Sequence, residues 1–477
     1  MSESLWGIPS KWIWATLDDV AEWASGGTPK SSESKYYDGD ISWLVIGDLN
    51  DGLVTTSQKK ITKLGLDNSS AKMVSVGAIL VAMYGSIGKL GIAGIECATN
   101  QAIAFTKEGS IKTVPKYLYY YIYCARPKLF EIGKGGAQQN ISQTVLKEFP
   151  VCIAPLNEQK RIVEKLEKLL GKVEAVQARL DKIPAILKRF RQAVLAAACS
   201  GKLTADWREN KEINLETNLP FDLPKTWKSE NLGQLCEIKG GIQKTPLRTP
   251  VNNKYPYLRV ANVYRNELRL DEITYFELFE GELERWKLQK GDLLVVEGNG
   301  SAKEIGRCAI WNEEIENCVH QNHLIRCRPK KGVDSRFILT FLNSPYGVDE
   351  MMLLSSSTSG LHTLSVGKIS KIIIPFPPIE EQKEIVRRVE DLFKFADQIE
   401  ARYKKARSYT DKLTQSILAK AFRGELVPQD ENDEPASVLL ERIKAEKSNN
   451  TDSVKGKQKR KSKTPKEDEQ QTLFANG

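Results

Sequence analysis

The strongest constraint on the fold is a segment that the chain contains twice. Residues 155–163 and 378–386 share the pattern Pro-x-x-Glu-Gln-Lys-x-Ile-Val, and eight of sixteen positions are identical between 155–170 and 378–393. In both copies apolar residues continue at alternating steps of four and three. This heptad pattern is typical of a helix that buries one narrow seam against another helix. We therefore expect two long helices that pair with each other within the chain.

The heptad steps define the residues of the expected seam. They are Ile162, Leu166, Leu169, Val173, Val176, Leu180 and Ile183 in the first helix, and Ile385, Val389, Leu392, Ala396, Ile399 and Tyr403 in the second. The first helix is predicted as one continuous element over 156–200. Arg407 stands where the first copy has Pro184, so the two copies are not equivalent throughout.

The repeat extends into the segments before each helix. A Pro-x-x-Trp pattern ends at Trp12 and again at Trp227, and each is followed by a Gly-Gly, by strand-like runs and by polar loops. A repeat of about 220 residues indicates a duplicated domain rather than a solenoid. The predicted fold class is α+β, with two globular modules joined by an antiparallel intramolecular coiled coil in pseudo-two-fold symmetry. The predicted parts are a module over 1–155, a long helix over 156–200, a linker over 201–222, a second module over 223–378, a distal helix and end segment over 379–445, and a disordered basic tail over 446–477.

Charge and composition limit the class of protein. The formal net charge is +9, which indicates a polyanionic partner, although residues 1–155 are nearly neutral with 15 basic and 14 acidic side chains. Residues 156–200 hold 10 basic and 5 acidic side chains, and such an excess is also typical of a solvated helix face. The first residues have neither a basic region nor an apolar core, so we expect no signal peptide, and we expect no membrane span because no apolar run approaches ~18 residues. The eight cysteines form no CxxC pair, which indicates reduced thiols and a cytoplasmic protein.

Three motifs in the chain resemble known sites of chemistry. Residues 85–89 resemble a phosphate loop but lack its first glycine and its final Ser or Thr, so a strand–strand turn is favoured. Residues 343–346 read Asn-Ser-Pro-Tyr, a broken form of the Asn-Pro-Pro-Tyr of adenine methyltransferases, and indicate a helix terminator. A zinc site on Cys318, His320, His323 and Cys327 is a minor alternative, because strand alternation puts some of them on opposite faces. We predict no catalytic residue and no metal site.

The duplicated Pro-x-x-Glu-Gln pattern and the Pro-x-x-Trp at the start of each module resemble the specificity (S) subunit of type I restriction-modification enzymes. The stretch Ile183–Leu195, followed by Gly201–Thr204 and Trp207-Arg208, is similar to the central conserved region of the enteric-type (type IA-like) subgroup. The resemblance implies that each module is a target recognition domain for one half of a bipartite, asymmetric site in double-stranded DNA. It implies two methyltransferase (M) subunits and restriction/translocase (R) subunits as partners, with S-adenosylmethionine, ATP and Mg on those partners and no cofactor in this chain. The protein would then be cytoplasmic, and nucleoid-associated when bound to DNA.

Sequence readout requires amide, hydroxyl and basic side chains on loops that reach base edges and phosphates. The polar loops at corresponding places in the two modules supply the candidate DNA-binding residues. They are Lys89, Asn100, Gln101, Gln138, Gln139, Asn140 and Ser142 in the first module, and Asn299, Ser301, Lys303, Gln321, Asn322, His323, Ser359 and His362 in the second. The alternative function is a coiled-coil scaffold that binds only protein partners, which the nearly neutral first module would also fit.

Overall fold

The computed structural model describes residues 6–133, 140–209, 212–214, 219–299, 301, 304–358 and 361–447. The chain divides into two compact units. Unit 1 consists of Met1–Ala178 and Arg407–Gly477, and unit 2 consists of Arg179–Ala406. Each unit therefore combines one module with a part of each long helical segment.

The helices follow the predicted plan with one interruption. In chain order they are α1 (Leu17–Val20), α2 (Lys63–Asp67), α3 (Pro115–Ile132), α4 (Gln143–Glu148), α5 (Leu156–Leu180), α6 (Ile183–Cys199), α7 (Leu232–Leu235), α8 (Glu282–Trp286), α9 (Ser335–Leu342), α10 (Pro345–Leu354), α11 (Val366–Ile369), α12 (Ile379–Phe422) and α13 (436–447). The prediction of one helix over 156–200 is wrong, because a turn at residues 181–182 separates α5 from α6. Pro184 lies in the first turn of α6, where a missing N–H is tolerated, whereas within a helix it would remove a hydrogen bond. The second copy has Arg407 there, and α12 is continuous for 44 residues.

The strands of unit 1 form two main sheets and one short pair. They are β1 (Ile13–Thr16), β2 (Trp23–Ser25), β3 (Tyr37–Leu44), β4 (Leu53–Val54), β5 (Lys60–Ile61), β6 (Met73–Val74), β7 (Ile79–Ala82), β8 (Leu90–Ala93), β9 (Cys97–Thr99), β10 (Ile103–Thr106) and β11 (Pro150–Ile153). The sheet orders are β2-β10-β7-β8-β4, β5-β3-β9-β6 and β1-β11. Strand β7 is buried at every position and pairs antiparallel with β8, so the glycine-rich residues 85–88 form the predicted strand–strand turn.

Unit 2 repeats this plan. Its strands are β12 (Ile213–Asn214), β13 (Leu223–Pro224), β14 (Lys228–Asn231), β15 (Cys236–Lys239), β16 (Lys254–Leu258), β17 (Val263–Tyr264), β18 (Glu267–Leu268), β19 (Thr274–Glu277), β20 (Leu293–Val296), β21 (Gly298–Asn299), β22 (Cys308–Ile310), β23 (Val319–His320), β24 (Leu324–Pro329), β25 (Ser356–Thr358), β26 (Leu361–Thr363) and β27 (Ile373–Phe376). The orders β15-β24-β20-β22, β19-β16-β23 and β14-β27 correspond to the three sheets of unit 1, with β12-β13, β17-β18 and β21-β26-β25 in addition. The expected pair of α+β modules with long helices is confirmed.

Within unit 1, α5 and the 407–422 part of α12 run antiparallel. The Gln177 side chain donates to Asp411 Oδ1 at 3.0 Å, and towards the other end of α5 Glu158 accepts from Gln429, beyond the end of α12. The predicted seam residues Ile162, Leu166 and Val173 are buried, as is Leu418. The seam placement of Val176 is wrong, since this side chain is 45 % exposed. The buried positions advance from 166 to 170 and 173, so a helix of about 3.6 residues per turn carries Val176 off the stripe.

Three further seam predictions along α5 and at the start of α6 are only partly met. Leu169 is half-buried beside the buried Leu170, and Leu180 and Ile183 are half-buried on either side of the turn. Within unit 2, Arg191 of α6 pairs with Asp397 and Glu400 of α12, both at 2.8 Å. The remaining seam predictions lie on α12 in unit 2. Ile385, Val389 and Ala396 are buried there, and Leu392, Ile399 and Tyr403 are half-buried.

The repeated glutamate and tryptophan form a buried hydrogen bond in each unit, and we call this contact the lock. In unit 1, Trp12 Nε1 donates to Glu158 at 2.9 Å. In unit 2, Trp227 Nε1 donates to Glu381 at 2.8 Å, and Arg208 and Thr204 donate to the same carboxylate at 2.6 and 2.8 Å. Each carboxylate is 1 % exposed, so it is a buried charge that must be paired. The lock fixes the start of a module to the start of the helix that follows it.

The glutamine of the motif ties a second part of each module to the same helix end. Gln159 accepts from the Val114 backbone N–H at 2.9 Å and donates to the Ala154 carbonyl at 2.8 Å. Gln382 accepts from Asp334 N at 2.9 Å and donates to the Pro377 carbonyl at 2.9 Å. The duplicated motif is therefore explained by internal contacts.

Segments that the sequence assigns to linker and tail contain structured residues that contact the rest of their unit. Thr204 and Arg208 belong to the predicted linker, yet both contact the buried Glu381. Glu446 and Lys447 belong to the predicted tail but lie in α13, where Glu446 pairs with Lys112 at 2.8 Å. The rest of the predicted tail lies outside the described residues.

None of the helices in the described ranges is long and apolar enough to cross a membrane. All eight cysteines are free thiols. Burial raises the pKa of the Cys97 thiol to about 11 and those of Cys199 and Cys236 to about 12, which keeps these thiols protonated at neutral pH.

Candidate DNA interface

In each unit a pair of parallel strands leads into the predicted amide loop, and the carboxyl ends of the two strands lie side by side. In unit 1 the pair is β3 and β9, with Leu44 opposite Thr99, and in unit 2 it is β16 and β23, with Leu258 opposite His320. Immediately beyond these ends, Asn100 N donates to the Leu44 carbonyl at 3.0 Å and Gln321 N donates to the Leu258 carbonyl at 2.9 Å. The predicted amides Asn100-Gln101 therefore correspond to Gln321-Asn322, one residue earlier in the second module than simple sequence alignment suggests.

We call these strand ends and the loops around them the polar edge of the unit. The residue that follows the central strand, β7 in unit 1 and β20 in unit 2, joins the other predicted loops to this edge. In unit 1, Met83 N donates to the Ala102 carbonyl at 2.8 Å, and the Met83 carbonyl accepts from Ile141 N at 2.9 Å. In unit 2, Glu297 makes the same two bonds, to the His323 carbonyl at 2.9 Å and from Leu364 N at 2.7 Å. The three polar loops that the sequence proposed separately thus meet in both units.

One glycine of the Gly-Gly in each module is required by a close approach at this edge. A Cβ on Gly26 would lie 2.0 Å from the Thr99 carbonyl oxygen, and one on Gly241 would lie 2.3 Å from the Gln321 carbonyl oxygen. Real side chains do not come so close to backbone, so only glycine fits. By contrast, a Cβ on Gly240 would meet nothing nearer than 4.0 Å. Gly241 is therefore the structural counterpart of Gly26.

A basic side chain occupies the same position in both units. Lys89 Nζ lies 3.4 Å from the Ile46 carbonyl oxygen, and Arg307 Nη2 lies 3.5 Å from the Val260 carbonyl oxygen. The two residues correspond because each accepts a backbone hydrogen bond from the last residue of the central strand. Ala82 N donates to the Lys89 carbonyl, and Val296 N donates to the Arg307 carbonyl. Sequence reasoning missed Arg307, because its loop is four residues longer than the loop before Lys89. Strand pairing was needed to align them.

Several predicted side chains also make local contacts. Asn100 Oδ1 accepts from Ala102 N at 3.2 Å, Gln101 bonds to the Thr28 hydroxyl, and Ser142 caps α4 by accepting from Val145 N at 3.2 Å. His323 Nδ1 lies 2.7 Å from Glu297 Oε2. Such bonds hold the loops in shape while leaving Gln101, Ser142 and His323 exposed.

The other predicted positions fall into two groups. Asn140 and Ser301 are exposed and Gln321, Asn322 and His362 are half-buried, and the Asn299 backbone pairs with that of His362. Gln138, Gln139, Lys303 and Ser359 lie outside the described residues. Their assignment to DNA binding stays a prediction.

A groove of about 250 Å³ lies beside the unit 2 edge. Its lining includes Lys244, Arg248, Arg259, Tyr275 and Gln321. Of these, sequence reasoning identified only Gln321. Arg259 follows a strand directly, and a basic residue at the carboxyl end of a strand beside a polar loop was the signal that could have found it.

The histidine behind this edge is buried and neutral. His320 is 0 % exposed, neither ring nitrogen has a hydrogen-bond partner within the described chain, and burial lowers its pKa to about 3. Thr99, its counterpart in unit 1, is equally buried, and its hydroxyl also has no partner among the described residues. Within the described ranges no group of three or more His, Cys, Asp or Glu side chains is arranged to hold a metal ion.

The family model for the type I restriction modification DNA specificity domain matches residues 9–185 and again 224–406. The chain is 33 % identical over 462 residues to the type I restriction enzyme EcoKI specificity subunit of Escherichia coli K12, covering 92 % of this chain and 96 % of that protein. It is 32 % identical over 466 residues to the StySPI specificity subunit of Salmonella potsdam, with the same coverage.

Two solved structures share the fold. The HsdS subunit from Thermoanaerobacter tengcongensis has a TM-score of 0.52 at 17 % identity, over 89 % of this chain and 100 % of that one. A chain from work on complex assembly and conformational transition of the type I R-M system has a TM-score of 0.67 at 18 % identity, over 88 % of this chain and 100 % of that one.

A chain with two copies of an α+β module, each with the same polar edge and each followed by a long helix, is of the DNA-specificity class. The protein belongs to the type I restriction modification DNA specificity family. It is a DNA sequence-specificity subunit, the non-catalytic component of its system, which confirms the resemblance drawn from the sequence.

Proposed function

We propose that the polar edge of each unit reads one half of a bipartite, asymmetric site in double-stranded DNA. The observation that supports this most directly is the equivalence of the two edges. Each presents two amide side chains after a pair of parallel strands and one basic side chain, Lys89 or Arg307, at the same neighbouring carbonyl. Amides read base edges and cations hold phosphates, so each edge has both kinds of contact that recognition requires.

In this proposal the features common to both units serve functions that do not depend on sequence. Lys89 and Arg307 contact the phosphates of the DNA backbone. Gly26 and Gly241 let the protein backbone pass closely behind the polar loops that contact the bases. The features that differ between the units select the bases. Two half-sites of different sequence follow naturally from one duplicated scaffold.

The long helices set the spacer between the half-sites in this proposal. Helix α12 is 44 residues long, which corresponds to roughly 66 Å at about 1.5 Å per residue. This is about two turns of B-DNA at ~34 Å per turn.

The proposed partners are those of a type I system. Two M subunits and the R subunits assemble on this chain in the cytoplasm, next to the nucleoid when DNA is bound. S-adenosylmethionine, ATP and Mg are held by those partners. A protein-only scaffold is not favoured, because the matching family is defined by DNA specificity.

The proposal is tested by co-expressing the chain with its own M subunit in a methylation-free host and sequencing the methylome. A bipartite motif with a fixed spacer is expected. Gln321→Ala should alter one half of that motif and Asn100→Ala the other. If each single variant altered both halves, the assignment of one half-site to each unit would be wrong. A methylome without any sequence motif would refute the function itself.

A further inference from the structure

The groove beside the unit 2 edge contains a guanidinium with no partner in the described parts of the protein. Arg259 forms no ion pair and donates no side-chain hydrogen bond there, and its Nε is buried without a partner. Its neighbour in the groove, Arg248, is instead held by Glu282 through two hydrogen bonds. A buried N–H without a partner is costly, which indicates that a ligand satisfies it.

The backbone places Arg259 beside a second reading side chain. Leu258 and His320 are partners in the parallel register of β16 and β23, and the next residues along the two strands are Arg259 and Gln321. Gln321 N donates to the Leu258 carbonyl at 2.9 Å, so the pair stays in register beyond the strand ends. Both side chains line the groove, together with Lys244 and Tyr275.

The chemistry of this pair matches base edges in the major groove. A guanidinium donates two parallel hydrogen bonds to O6 and N7 of guanine, and a glutamine amide bonds in the same way to N6 and N7 of adenine. Lys244 is an exposed cation at the same groove and suits a phosphate. The groove therefore combines base-specific and backbone contacts.

The corresponding place in unit 1 differs. Val45 follows Leu44 there, and its N–H bonds to Asp48 at 2.8 Å just as the Arg259 N–H bonds to Asn262 at 2.8 Å. The backbone N–H is thus held in the same way in both units, while the side chain that follows the strand is valine in one and arginine in the other. A residue that differs on a shared backbone is what two modules with different targets need.

Resting on the proposed function, we propose that Arg259 is a specificity-determining residue of the second module and reads a guanine in its half-site. Gln321 contacts the adjacent base pair. Arg307, which occupies the same position as Lys89, contacts the DNA phosphates and does not select a base.

The test uses the full chain with its M subunit on a DNA library randomised at every position of the bipartite site. The variants are Arg259→Ala and Arg259→Lys, and the matched control is Arg336→Ala, an exposed arginine of the same unit that pairs with Asp334. Arg259→Ala should lower the preference for one G·C pair in one half-site by roughly 5- to 150-fold and leave the other half unchanged. Arg259→Lys keeps the charge but loses the planar fork, so it should lose most of that preference too. Arg336→Ala should keep the wild-type preference.

Three results would overturn the inference. They are an unchanged base preference in both Arg259 variants, a uniform loss of methylation across all sequences, and a changed preference in both halves. If Arg259→Ala fails to fold, the Arg259→Lys profile decides by the same criteria. A wild-type complex without any bipartite preference would instead refute the proposed function on which the inference rests.

Discussion

The buried lock at the head of α12 supports a quantitative prediction about the duplicated motif. Glu381 accepts from Trp227, Thr204 and Arg208, and the Arg208 side chain is 9 % exposed. Glu381→Gln removes the charge that compensates this buried guanidinium and turns one acceptor into a donor. Removing one partner of a buried ion pair costs about 3–5 kcal/mol of unfolding free energy.

The equivalent change in unit 1 should cost less. Glu158 accepts from Trp12 and Gln429, and the nearby Arg161 is held by Asp433 at 2.7 Å instead. Burial raises the pKa of Glu158, which means that its ionised form is incompletely compensated. Glu158→Gln leaves one mismatched donor and no unpaired guanidinium. We therefore expect the free energy of unfolding to fall by about 1–3 kcal/mol.

Hydrogen exchange resolved by mass spectrometry measures both effects, because it reports local opening where a protein with two units need not unfold in one step. The readout is protection of β14 and β27 for Glu381→Gln and of β1 and β11 for Glu158→Gln. Glu390→Gln, which removes an exposed carboxylate 3.3 Å from Arg336, is the control and should change protection by less than about 1 kcal/mol. Equal losses in the two units, or a larger loss for Glu158→Gln, would refute the reasoning.

Three further predictions concern burial. Leu166→Asp puts a charge at a fully buried seam position and should cost several kcal/mol in a thermal melt, whereas Val176→Asp at an exposed position should cost almost nothing; equal losses would contradict the corrected seam. His320 is more basic in the unfolded chain than in the fold, so folded stability should fall by about 1.4 kcal/mol per pH unit from its usual pKa of 6.5 down to about 3. His320→Phe should remove that dependence, and an identical pH–stability profile in the variant would refute it. Gly241→Ala should disrupt half-site recognition by unit 2 while Gly240→Ala is tolerated, and matching methylomes for the two variants would contradict the close approach.

Much of the fold could be predicted because the chain carries its plan twice. The repeated Pro-x-x-Glu-Gln and Pro-x-x-Trp patterns located both modules, and the structure explains them as buried locks on Glu158 and Glu381. The heptad pattern found the helices but misplaced Val176, because a helix of about 3.6 residues per turn drifts away from a strict seven-residue spacing. The interruption itself has a sequence signal in Pro184, which Arg407 replaces in the other copy.

The candidate site could be predicted only in outline. The three polar loops were identified one by one, but that they share an edge depends on hydrogen bonds from Met83 and Glu297 between distant segments. Loops of unequal length concealed the equivalence of Lys89 and Arg307. Arg259 was missed because a single arginine after a strand has no periodicity and becomes informative only beside Gln321.

The most direct test of the account is to replace residues 1–155 by the corresponding module of the EcoKI specificity subunit and to sequence the methylome of cells that express the chimera with the M subunit. If unit 1 reads one half-site, unit 2 reads the other and the helices set the spacer, then one half of the motif changes in the chimera. The other half and the spacer stay as in the wild type. A motif in which both halves change, or in which neither changes, would contradict it.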